Sequence, residues 1–144
     1  MKTTFQILRI KEIPFDINRD INITKEIMDN IKLSFIFVLQ YQKTTDIIGL
    51  HTVVRYSIPD QKPLLEGGIT HIAQLSDWEE IKDDEEKIRK SDSLHKLISY
   101  ALSFVSGVVF KQTEGTILNT AFIPHLPAED FIQSMRIELL ENAQ

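Results

Sequence analysis

The sequence predicts an α+β domain in which the strands come first and the helices follow. Three observations carry this. Period-two alternation of apolar and polar residues recurs in successive runs up to Leu75. A single long i, i+3, i+4 apolar stripe then lies between Ser93 and Thr113. A shorter helical stripe closes the chain from Ala128 to about Asn142, after an apolar crossover that carries two prolines. Alternation at period two buries one face of a strand, whereas a 3.6-residue period buries one face of a helix.

The first run places Ile13, Phe15, Ile17, Ile21 and Ile23 on odd positions, with a break near Asn18-Arg19-Asp20. Upstream, Phe5 and Ile7 keep that phase while Leu8 and Ile10 do not, so a bulge near residues 8–12 is expected, because one extra residue switches the face. Residues 24–30 are too short to assign. From Ile31 to Tyr41 the odd positions are Ile31, Leu33, Phe35, Phe37, Leu39 and Tyr41, with Ile36 and Val38 between them. This reads as a long strand buried on both faces near its middle. Lys43-Thr44-Thr45-Asp46 reads as a hairpin connection, after which Ile48, Leu50, Thr52, Val54, Tyr56 and Ile58 share a face. Pro59 to Pro63 forms a turn, since two prolines fix φ and remove ladder donors. A last strand runs from about Leu64 to Leu75, and Gly67-Gly68 inside it marks a bulge or a close backbone approach. Short connections between successive strands predict an antiparallel meander.

In the long helix, Leu94, Leu97, Ile98, Ala101, Leu102, Val105, Val108 and Val109 form the apolar stripe. Asp92 or Ser93 serves as N-cap and Gly115 as the stop. The opposite side carries Ser99, Tyr100, Ser103, Phe104, Ser106 and Gly107, and no acid or base falls between Lys96 and Lys111. A surface helix normally shows charge there. The second face is therefore read as packing on another copy of the chain, with Tyr100, Ser103, Phe104 and Gly107 as candidate interface residues. Thr116 to Pro127 is uncharged and reads as an extended crossover into the final helix, whose buried side is Phe131, Met135 and Leu139, with Ile132 and Leu140 as further candidates. Pro127, Glu129 and Asp130 suit its first turn.

Composition narrows the function. The 144 residues are 42% hydrophobic and 26% charged, as expected for one globular domain spanning 1–144. A net charge of −5 makes a nucleic-acid backbone an unfavourable partner. Eight acids and four bases lie between Asp77 and Asp92. That acidic connector joins sheet to helix, with Glu85–Arg89 and Glu86–Lys90 at ion-pair spacing. Cysteine is absent, which removes disulfides, thiolate metal sites and a thiol nucleophile. No apolar run reaches the roughly 18–20 residues that span a bilayer, and Met1 to Gln6 leads straight into strand-like sequence without a signal-peptide core. A cytoplasmic protein without membrane insertion is the expectation.

Chemistry-bearing motifs are sparse. His51, His71, His95 and His125 have no metal-ligand spacing, and there is no GxSxG, Walker or GxGxxG motif. Glu66 and His71 form the best acid–base couple, but alternation sends them to opposite faces. Trp78 reads as an anchor for the acidic connector. No catalytic residue, metal site or cofactor is expected.

Several segments nevertheless resemble one family. Phe5-Gln6-Ile7-Leu8-Arg9-Ile10, followed by Ile13-Pro14-Phe15-Asp16, resembles the first strand of the SecB family of export chaperones, which opens FQI-x-RI. Leu65-Glu66-Gly67-Gly68-Ile69-Thr70-His71-Ile72-Ala73 is similar to the family's GGIFSIA stretch, and Leu97-Ile98-Ser99-Tyr100-Ala101 lies where the family has LFPYA. The crossover ending in Ile123-Pro124 matches in order and spacing. The resemblance implies a four-stranded antiparallel sheet with a long helix and a C-terminal helix packed on one face. It implies a homotetramer, a dimer of dimers with the long helices at the interface. It also implies a chaperone that holds unfolded polypeptide clients in apolar grooves for protein export. Ile117, Leu118, Phe122 and Ile123 are then the candidate groove wall. Ser99 and Leu102 replace the proline and arginine of LFPYAR, and Pro63 falls near the family's acidic position, departures that leave docking to the SecA translocation motor undecided. The alternative is an oligomeric adaptor, or a toxin–antitoxin-associated chaperone, on the same fold with one dedicated protein partner.

Overall fold

The computed structural model describes residues 4–18, 24–120 and 126–140, with residues 117 and 120 described as backbone. Strands β1 (Phe5–Ile17), β2 (Lys32–Tyr41), β3 (Ile47–Ser57), β4 (Leu65–Leu75) and β5 (Arg136–Leu139) form one sheet in the order β1-β4-β3-β2-β5. Helices α1 (Lys25–Asp29), α2 (Trp78–Ile81), α3 (Glu85–Lys90), α4 (Asp92–Gln112) and α5 (Glu129–Ile132) complete the α+β fold, with a 3-10 turn at Ile117–Thr120.

The meander expectation is corrected. β2, β3 and β4 are joined by hairpins, but β1 pairs with β4 and not with β2. A short connection forces neighbouring strands together, and the β1–β2 connection is long enough to hold α1, capped by the Thr24 side chain on the Ile27 amide. That frees β1 to cross to the far edge of β4, the arrangement of a Greek key. The sheet is also mixed and five-stranded, because β5 runs parallel to β2.

The bulge expected near residues 8–12 lies between Ile7 and Arg9. A second shift between Ile13 and Asp16, at Pro14, was not anticipated. It turns Ile13 outward opposite Gly68, while Phe15 and Ile17 pack into the core, so the odd phase breaks there. Residues 19–23 of that run lie outside the described residues. Gly67 and Gly68 keep an unbroken ladder with β3 and owe their identity to close approach. A Cβ on Gly67 would strike the Phe15 ring, and one on Gly68 would strike the Thr52 carbonyl oxygen.

The final helix is corrected as well. Only Glu129–Ile132 is helical, and the chain then becomes β5. The side-chain reason is Arg89. Its Nη1 donates to the carbonyls of Ile132 at 2.6 Å and Met135 at 2.9 Å, capping the end of α5, while Nη2 donates to Glu85 at 2.7 Å. The backbone reason is the open edge of β2, whose ladder groups β5 satisfies from Val38 to Tyr41. Ile132 and Met135 still reach the core, but Leu139 is exposed. Arg89→Ala is expected to cost about 2–3 kcal/mol, since hydrogen bonds from a charged donor are among the stronger ones. Hydrogen exchange should show β5 amides losing protection first; unchanged protection there would contradict the capping role.

Helix α4 begins one residue earlier than expected. Ser91, not Asp92 or Ser93, is the N-cap, its Oγ accepting from the Leu94 amide at 3.1 Å. Gly115, at φ +79°, follows its end. By length and composition α4 could cross a membrane, but eight of its residues are buried on the sheet side, Leu97, Ile98, Ala101 and Val105 among them. The core is built in two halves beneath it. One gathers Leu39, Leu50, Trp78, Ile88 and Leu97; the other gathers Val54, Tyr56, Ile69, Val105 and Leu118. Each such side chain contributes roughly 1.5–3 kcal/mol by leaving water. Trp78 anchors the acidic connector edge-on to Tyr41, with ring centroids 5.2 Å apart. The Glu85–Arg89 and Glu86–Lys90 ion pairs both form.

Candidate interaction surface

The 3.6-residue period brings the four candidate interface residues together on the side of α4 that faces away from its core stripe. Tyr100 is 39% exposed, Ser103 and Gly107 are exposed, and Phe104 is half-buried. Phe110, which the sequence reading had not singled out, extends the same apolar surface and is 61% exposed. Its signal was present: Phe110 follows Ser103 at i+7. Among the described residues, no heavy atom beyond the adjoining residues and the helix's own backbone lies within 4 Å of where a Gly107 Cβ would be, so a mid-helix glycine sits over open space. Glycine there costs the isolated helix up to about 1 kcal/mol against alanine, and no contact among the described residues offsets it.

The edge strand β1 continues this surface. Phe5 meets Tyr100 at 5.6 Å between centroids, and Ile10 and Leu8 are both exposed. Beneath the aromatic pair lies His71, fully buried, whose ring nitrogens have no hydrogen-bond partner among the described residues. Its ring stands edge-to-face with Tyr100 at 5.4 Å and Phe104 at 5.2 Å. Burial holds its pKa below the ordinary 6.5, because the imidazolium would lose its hydration.

His51 is also lowered by burial, partly offset by Glu138. A histidine with a depressed folded-state pKa binds its proton first in the unfolded chain. Stability is therefore full above pH ~6.5 and declines as pH falls below it. Thermal unfolding should show a midpoint that is flat from pH 8 to 7 and drops between about 6.5 and 5.5. His71→Phe should reduce that slope, and a midpoint rising on acidification would contradict the assignment.

The groove candidates are not assembled in the same way. Leu118 is 1% exposed and fills the core beside Val105 and Val109. Ile117 is described as backbone, and Phe122 and Ile123 lie outside the described residues, as does His125. Glu66 and His71 do point to opposite faces: Glu66 pairs outward with Arg55 at 2.7 Å while His71 points into the core.

On the other face of the sheet the structure shows a polar row that sequence reasoning missed. Thr70 Oγ1 and His51 Nδ1 are 2.6 Å apart, His51 Nε2 and Gln40 Oε1 2.8 Å, and Gln40 Nε2 donates to Glu138 at 3.1 Å. This row ties β4, β3, β2 and β5 together. Alternation alone places His51 on that face, but Glu138 could not be found while its segment was read as helix. Beside it a recess of about 270 Å³ is lined by Tyr41, Ile47, Gly49, Ile72 and Leu140. Among the described residues no group of three or more His, Asp or Glu is arranged to hold a metal.

No protein-family model matches the chain, and no curated protein is significantly similar to it.

Proposed function

We propose that this protein is a SecB-like holdase, a self-associating chaperone without catalytic activity that binds non-native polypeptides through apolar surface in the cytoplasm. The observation that carries the reading is the free face of α4. Tyr100, Ser103, Gly107 and Phe110 stand exposed on a charge-free helix surface, with half-buried Phe104 beside them. Exposed apolar area of this kind is favourable to cover at about 25 cal/mol per Å², without sequence specificity. Small residues beside an aromatic ridge make the face self-complementary, as a two-fold interface requires. On this reading copies pair through α4, and clients occupy the remaining apolar surface at Leu8 and Ile10.

One observation favours the alternative of an adaptor or toxin–antitoxin-associated chaperone with a single dedicated partner: Leu118 is closed within the core and does not line a groove. Size-exclusion chromatography with a permanently unfolded, carboxymethylated polypeptide separates the two. Co-elution of that probe with the protein supports the holdase, whereas a stable oligomer that ignores it supports the adaptor.

A further inference from the structure

We infer that the uncovered face of the sheet is a docking surface for an acidic amphipathic helix of a partner protein. The inference is independent of the α4 reading, because the two surfaces lie on opposite sides of the sheet. All core contacts of the described helices are with the other face. On the outward face half-buried Val38 on β2, Val53 on β3 and Ile72 on β4, with Ile36 exposed beside them, surround the Thr70–His51–Gln40 row, whose polar side-chain atoms already bond one another.

Charge identifies the occupant. Register places Arg9 beside Ile72 and Lys11 beside Thr70 on the β1 side, and Lys32 opposite Ser57 on the β2 side. None of these three cations has an ion-pair partner among the described residues, whereas Arg55 and Arg136 are matched by Glu66 and Glu138. Asp16 is the counterweight, opposite Glu66. The outward strand positions therefore carry net positive charge in a chain whose overall charge is −5. Aliphatic side chains around an internally satisfied polar row, flanked by unpaired cations, are complementary to a helix with an aliphatic stripe and acidic flanks.

Other classes fit less well. No Phe, Tyr or Trp points outward from the strands, so bases have no stacking platform and a bilayer has no interfacial aromatic anchor.

The test uses the full chain and two synthetic 18-residue helical peptides with the same leucine stripe, one carrying Glu and the other Lys on its polar face. Fluorescence anisotropy at about 50 mM salt should show the Glu peptide binding at least ~10-fold tighter, with the preference lost near 0.5 M salt. Arg9→Glu with Lys11→Glu should remove that preference, and Ile36→Asp should weaken the Glu peptide by about 10-fold or more; all three positions are exposed, and circular dichroism confirms that each variant is folded. Equal binding of both peptides, no saturable binding of the Glu peptide below ~100 μM, indifference to the β1 charge reversals, or tighter binding to phosphatidylserine vesicles would each overturn the inference.

Discussion

Gly68→Val is expected to prevent folding, or to remove more than about 4 kcal/mol of stability, a loss that few single substitutions reach. A Cβ at position 68 would overlap the Thr52 carbonyl oxygen and lie 3.0 Å from the Val53 Cα, and both obstacles are backbone. Neither can move without breaking the β3–β4 ladder, the central pairing of the sheet. Gly107→Ala is the matched control. Its Cβ would enter open space, so the isolated chain should gain about 0.5–1 kcal/mol from helix propensity. Denaturant unfolding of the two variants reads both effects, and a Gly68→Val protein as stable as the parent would show that the packing of β3 against β4 is misread.

The second large effect concerns association. Tyr100→Asp and Phe110→Asp place a charge on the free face of α4, where neither ring is fully buried by its own chain. The folded protomer should tolerate both, with an unchanged far-UV spectrum. Self-association should weaken by about 30-fold or more, the scale of losing an aromatic hot spot. Phe104 is a poorer choice because its ring is half-buried over His71, and Phe110→Asp is cleaner than Tyr100→Asp, since Tyr100 also stands against His71 and Phe5. Analytical ultracentrifugation over a concentration series separates the two.

Periodicity made much of this molecule readable. The three central strands, the β2–β3 hairpin, the bulge after Ile7 and the two-sided character of α4 all follow from where apolar residues fall. Connectivity did not follow, because alternation reports which face a residue occupies and not which strand lies beside it. β1 and β2 look like neighbours until α1 is seen between them. The C-terminal segment failed for a different reason. Phe131, Met135 and Leu139 fit a helical stripe, yet Ile137 and Leu139 fit a strand equally well over so short a run. Arg89 and the open edge of β2 decide between them, and both are distant in sequence. The interface candidates on α4 were legible because they share one helix. The polar row from Thr70 to Glu138 was not, because it needs four strands in register.

The central claim, that the free face of α4 is covered by another copy and that the assembly holds non-native chains, is tested most directly by light scattering after size exclusion. The measurement is made with and without the carboxymethylated polypeptide, on the parent and on Phe110→Asp. The account predicts a parent species at a multiple of 16.6 kDa that retains the polypeptide, and a variant shifted toward 16.6 kDa. A parent that elutes as a monomer at tens of micromolar, with Tyr100 and Phe110 left in water, would contradict it.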